Sequence, residues 1–353
     1  MVLYCINFII WLYIGKKITS FLLDHNQSAR LKRIFKIKKT INTKKEEYPV
    51  NEIKLIDDEE LLKIIDTIEA YFNNSDLNNF HYNIKNLKIR KLENLDKYAL
   101  SNSNEIVGGG YSPYKNEIVV GNDYPALSHE MLHVASTNNR HKHRNLACGF
   151  HQFHNFKLHI GQGITEGYTE YLNQIIFSDK DSIYSVISCI YKFESIISRA
   201  IEDIIGKEKM NSLYLNADLK GLYNSLSYYL SEKEIDKLII GMDNFNRFQG
   251  KTDIEEISKL LYKSCMEVIL LINKALIIKI KDENYDDTYI YRYFINMNNI
   301  KEVLLYLDEN RYKDIISFID EQEDCLYDFL KKYDIDVSKD EIKEYKEYHI
   351  INK

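Results

Sequence analysis

The stretch LSHEMLHVAS, Leu127 to Ser136, concentrates side chains that bind metals and move protons. His129 and His133 stand four residues apart with Glu130 beside the first, in the order His-Glu-x-x-His. On a helix, residues i and i+4 lie one above the other on one face, so both imidazoles can reach a single ion. Zinc takes imidazole nitrogen at about 2.0–2.1 Å, and a catalytic zinc site combines three protein ligands with one water position. Glu130 is then placed as general base toward that water. Leu127, Met131, Val134 and Ala135 fall on the opposing side and anchor the helix. The competing reading is a structural pair of histidines satisfied by hydrogen bonds.

A third ligand is required, and GQGITEGYTEYLNQIIF, Gly161 to Phe177, offers one. Tyr168, Tyr171, Leu172, Ile175 and Ile176 form an apolar helical stripe, while Glu166 and Glu170 lie four apart on another face. Like charges at that spacing repel on an exposed helix, and a cation facing them removes the penalty. A plain solvated acidic face is the alternative.

His-Glu-x-x-His followed by Thr-Glu-Gly-x-x-Glu resembles the gluzincin group of zinc metallopeptidases. In the aminopeptidase branch the second element reads Asn-Glu-Gly-Phe-Ala-Glu, and its first Glu is the third zinc ligand. This chain looks closer to short, uncharacterised bacterial metallopeptidase-like proteins with a similar Gly-x-Asn-Glu-Gly-x-Thr-Glu element. The resemblance implies a zincin-like catalytic core with a small sheet, Zn2+ as cofactor and a peptide or protein as substrate. It assigns Glu166 as third ligand, and Glu170 as a support that orients a histidine. It spans roughly Glu105 to Phe177, about a fifth of the 353 residues. Thr165 stands where the family has Asn, 32 residues separate His133 from Glu166, and the chain has no Gly-Ala-Met-Glu-Asn exopeptidase motif.

Hydrolysis through a tetrahedral oxyanion needs a further donor. Tyr168, His151, His154 and Tyr191 are the candidates. Five of the ten histidines (141, 143, 151, 154 and 159) fall between the two motif segments, in what reads as a basic, partly exposed loop over the cleft. GGGYSPYKNEIVV, Gly108 to Val120, reads either as an edge strand able to pair with an extended peptide or as a flexible loop before a hairpin.

The elements that must hold these groups are partly legible. Asp57 to Phe72 is amphipathic with helical period, NLKIRKL has strand character, and Glu117 to Val120 reads as a strand leading to a helix start at Asp123–Pro125. All three prolines lie at or before Pro125, so the long remainder reads as helical. One stripe runs from Val186 to Ile205 and stops at Gly206; Ser231 with Glu234 forms a capping box; Ile257–Ile280 and Ile315–Leu330 are further helices. The expected class is α+β. The expected divisions are an apolar and basic N-terminal segment at 1–45, a catalytic core at 46–182 and an all-helical C-terminal region at 183–353.

Charge excludes other roles. From Lys16 to Lys45 there are ten basic residues and one acid, leaving 37 basic and 52 acidic elsewhere, an acidic body that argues against a nucleic-acid groove. Five widely spaced cysteines without a CxxC point to a reducing, cytoplasmic setting and remove a thiolate zinc cluster. VLYCINFIIWLYI, Val2 to Ile14, is shorter than the roughly 20 residues that span a bilayer and lacks the flanks of a secretory signal. Trp11, Tyr4 and Tyr13 suit a membrane interface, so two readings stand: membrane-surface association through residues 1–45, or a buried helix followed by a solvated basic one. The function expected is zinc-dependent peptide-bond hydrolysis. The alternative is a non-catalytic zinc-binding regulatory protein, or a membrane-associated interaction protein on the same scaffold.

Overall fold

The computed structural model describes residues 51–53, 59–72, 77–92, 109–121, 126–138, 146–154, 158–177, 191–248 and 254–351. The apolar and basic N-terminal stretch, and the helix start expected at Asp123–Pro125, lie outside these. Every described residue falls in one compact unit, Val50–Glu93 with Gly108–Lys353, which is α+β, with two small sheets and a helical bulk.

The first sheet has the order β1 (Asn51–Ile53), β2 (Lys88–Leu92), β4 (Glu117–Gly121), β3 (Gly109–Ser112). β2 and β4 are parallel and β3 returns antiparallel to β4 as the edge. Residues alternate faces along a strand, so Ile118 and Val120 of β4 both enter the core. Helices α1 (Glu59–Tyr71) and α2 (Asn78–Ile84) precede β2; of the apolar stripe Leu61, Ile64, Ile65, Ile68 and Phe72, Ile65 is half-buried and the others are buried. The last five residues of NLKIRKL form β2, Glu117–Val120 falls in β4, and Gly109 to Val120 is a hairpin with an edge strand.

β4 leads toward α3 (Leu127–Ala135), the short helix carrying His-Glu-x-x-His. Leu127, Met131, Val134 and Ala135 are fully buried, and each of the larger three contributes about 1.5–3 kcal/mol by burial. Nine residues make a marginal helix alone. Its last carbonyls, which a helix end leaves short of partners, are met from four directions, and Leu132 O also accepts from the Ser136 N–H at 3.1 Å. Tyr214 Oη donates to Leu132 O at 3.3 Å, Thr137 Oγ1 to His133 O at 2.7 Å, Cys148 Sγ to His133 O at 3.5 Å, and Asn83 Nδ2 to Val134 O at 2.9 Å.

The segment expected as an exposed loop is instead a second sheet. It is an antiparallel meander of β5 (Thr137–Asn138), β6 (Ala147–Cys148), β7 (His151–His154) and β8 (Leu158–Ile160). Strands of two to four residues are too short to show alternation in the sequence. His151 is buried in this sheet and only His159 is exposed; His141, His143 and the His154 side chain lie outside the described residues.

From α4 (Gln162–Phe177) onward the described chain is helical: α5 (Lys192–Ile205), α6 (Lys207–Leu215), α7 (Leu219–Leu226), α8 (Glu232–Phe248), α9 (Glu255–Asp282), α10 (Asp287–Lys332) and α11 (Lys339–Ile351). One half of the capping box at the start of α8 is present: the Ser231 N–H donates to Glu234 Oε2 at 2.8 Å, while Ser231 Oγ donates to the same oxygen and the Glu234 N–H bonds to Ser231 O at 2.9 Å. Extended backbone at Asp308 interrupts α10. Among the described residues no helix is long and apolar enough to cross a membrane. The helical region packs directly on the motif: α4 lies against α3, α5 and α8. The Gly of Thr-Glu-Gly has a steric reason, because a Cβ on Gly167 would lie 2.3 Å from Glu194 O of α5.

Candidate metal centre

α3 and α4 bring His129, His133 and Glu166 to one point. His133 Nε2 stands 3.2 Å from His129 Nε2 and 3.2 Å from Glu166 Oε2, and His129 Nε2 is 3.4 Å from the same oxygen. Two explanations compete for this triangle. A direct ion pair closes to about 2.7–2.9 Å when charge-assisted. Donors held about 2.0–2.1 Å from a tetrahedral zinc stand about 3.3–3.4 Å from one another. The observed edges match the second spacing, so the residues fit a small divalent ion. The neighbouring His129 Nδ1–Glu170 Oε2 contact, at 2.9 Å, has the length of an ordinary charge-assisted hydrogen bond.

The histidines reach this geometry because their far nitrogens are also held. Glu170, one turn after Glu166, accepts from His129 Nδ1, which leaves Nε2 as the nitrogen that could take a metal. His133 Nδ1 faces Cys148 Sγ and Thr169 Oγ1, each at 3.5 Å, and Thr169 Oγ1 is bonded to Tyr214 Oη at 2.6 Å. Sequence reasoning missed Cys148 and Thr169. Thr169 was within reach of it, since position 169 lies between the two glutamates on the face of α4 turned to α3. The ring of Tyr191 stacks on His129 with centroids 6.0 Å apart. Thr165, the departure from Asn, has a local role: it accepts from the Phe150 N–H at 2.9 Å and donates to Gly161 O at 2.8 Å, tying α4 to the second sheet.

Protonation follows from these contacts. Burial works against charge on His129, but hydrogen bonds to Glu166 and Glu170 outweigh it and raise the group to about 9. Burial opposes charge on His133 too, and Glu166 with Cys148 lifts it well above the usual range. Burial acts to raise Glu166, yet the two imidazoles pull it well below the usual carboxylate range. Glu130 goes the other way: it is 7% exposed, and burial raises it against the pull of both histidines and of the Tyr111 N–H from edge strand β3.

Of the four candidate oxyanion donors, the structure removes one. Tyr168 is fully buried, and its hydroxyl donates to Glu202 Oε2 at 2.6 Å and Asn211 Oδ1 at 2.8 Å. The reason is helical phase. Two residues after Glu166 is about 200° around the axis, on the core side. His151 remains near the centre, feeling both Glu166 and His133; burial and its neighbour His159, at 2.9 Å, lower it to about 3 and keep it neutral.

Glu170→Gln is expected to weaken zinc binding by about 10–100-fold, the usual effect of removing a group that orients a ligand. Competition with a chromophoric chelator measures this. Comparison with family models, with curated proteins and with solved structures finds no match, so the site stands on its own geometry.

Proposed function

We propose that the protein is a zinc-dependent peptide hydrolase with a zincin-like core. The observation that carries the reading is the triangle of His129 Nε2, His133 Nε2 and Glu166 Oε2 with metal-ligand edges, beside a buried carboxylate that is not part of it. Zinc bound there would lower the pKa of a water toward about 7 and polarise a carbonyl. Glu130, its basicity raised by burial, accepts the proton of the attacking water and returns it to the leaving amine, so the C–N bond breaks with no net proton change. The Tyr111 N–H holds that carboxylate from β3. β3 is the sheet edge, and an extended peptide laid along it passes the base, which favours a peptide over a compact substrate. His151, neutral and buried close by, and Tyr191, stacked on His129, are retained as candidates for the oxyanion, with the His154 side chain outside the described residues.

Metal quantification on purified protein, together with digestion of a peptide library, tests the reading. Stoichiometric zinc and cleavage abolished by chelation are expected. Zinc without cleavage leaves the non-catalytic alternative, and the absence of stoichiometric metal overturns both.

A further inference from the structure

Helix α4 carries Glu166 in its first turn, yet that turn is capped from a distant part of the chain. Asp243 of α8 accepts from the Gly161 N–H at 2.9 Å through Oδ2 and from the Gly163 N–H at 2.8 Å through Oδ1. These are two of the four N–H groups that a helix start leaves unpaired, and the Gln162 N–H between them also acts on this carboxylate. The backbones meet closely here: a Cβ on Gly163 would stand 2.3 Å from Met242 O. One turn later Gly167 lets α5 approach in the same way. Glu166 therefore lies between two points at which neighbouring helices grip the backbone of α4.

We infer that Asp243 is a positioning residue for the metal centre, clamping the first turn of α4 so that the Glu166 carboxylate is held against the imidazoles of His129 and His133. This rests on the reading of those three residues as metal ligands, and it gives the C-terminal helical region a part in the site. Burial pushes the Asp243 carboxyl up to about 6, against the pull of the three N–H groups and of Arg247, the charged side chain facing it from α8; Tyr223 of α7 lies in its field. An acid raised above its ordinary value contributes most to folding below that value and loses the contribution as pH rises through about 6. At neutral pH the charge thus opposes folding while completing the clamp.

The test is Zn2+ affinity, by chelator competition, of the full chain as wild type, Asp243→Asn, Glu166→Ala and the double variant, with circular dichroism of each metal-free protein. Asp243→Asn is expected to lower affinity by about tenfold, at the lower end of effects on residues that orient ligands. In the Glu166→Ala background the same change is expected to cost less than about twofold, because the carboxylate it positions is gone. Unchanged affinity in Asp243→Asn, or equal losses in both backgrounds, overturns the inference while leaving the metal site intact. If the wild type takes up no zinc, site and inference fall together. Should Asp243→Asn not fold, Asp243→Glu, which keeps the charge but displaces it by one methylene, is read in the same two backgrounds against the same criteria.

Discussion

Glu166→Ala is expected to lower zinc affinity by more than the roughly 10–100-fold typical of losing a supporting group, and to destabilise the metal-free protein as well. The second effect follows from the charges left behind. The Glu166 carboxylate, 3.2 Å from His133 Nε2 and 3.4 Å from His129 Nε2 with its side chain 17% exposed, is the counter-charge of both imidazoles. Removing one partner of a buried ion pair costs about 3–5 kcal/mol. The pH window is set by the shifts. Glu166 is depressed, so its contribution is present above its ordinary 4.5 and lost as pH falls. His129 is raised to about 9 from 6.5, so its contribution is full below 6.5 and lost as pH climbs through 9. The melting-temperature gap between metal-free wild type and Glu166→Ala should therefore be widest near pH 5–7 and shrink toward pH 10. A gap that does not vary over this range would mean that the carboxylate is not paired with the histidines. Normal zinc content in the variant would refute its role as ligand.

The contrast between Glu166 and Tyr168 shows how much of the site could be read in advance. Both lie in the seventeen-residue stretch Gly161 to Phe177, and the spacing of Glu166 and Glu170 was enough to put them on one face. Applied to Tyr168, the same rule places it on the opposite side, where the structure has it bonded to Glu202. What the rule could not supply is anything depending on chain reversal over short distances or on distant packing. The strands of the second sheet are two to four residues long and leave no periodic trace, so His151 read as a loop residue although it is buried. Asp243 is 80 residues from the N–H of Gly163, and nothing local in its helix marks it as a cap for another. The glycines sat between these extremes. Gly163 and Gly167 are visible as helix-weakening residues in an otherwise apolar stripe, which hints at close approach, but only the packing names Met242 O and Glu194 O as the atoms approached.

Glu130→Gln separates catalysis from metal binding. Glutamine keeps the shape of the side chain and removes its ability to take a proton. Glu130 lies outside the triangle of His129, His133 and Glu166, so zinc affinity is expected to stay within about threefold of wild type, well short of what losing even a supporting group causes. Hydrolysis is expected to fall by about 10²–10⁴-fold, the usual contribution of a positioned general base. Stability is a third readout with its own sign. Burial raises Glu130 above its ordinary 4.5, so its charged form opposes folding at neutral pH, and the neutral amide removes that cost. The metal-free variant should melt no lower than wild type at pH 7, and the comparison should shift toward wild type as pH falls toward the ordinary 4.5. Loss of zinc in this variant would make Glu130 a ligand and displace Glu166 from that role. Full peptide cleavage with zinc bound would leave the geometry in place but take the proton transfer away from Glu130. Zinc retained, cleavage lost and stability undiminished form a combination that neither a structural histidine pair nor a purely regulatory zinc site produces, because in both of those Glu130 has no substrate proton to carry.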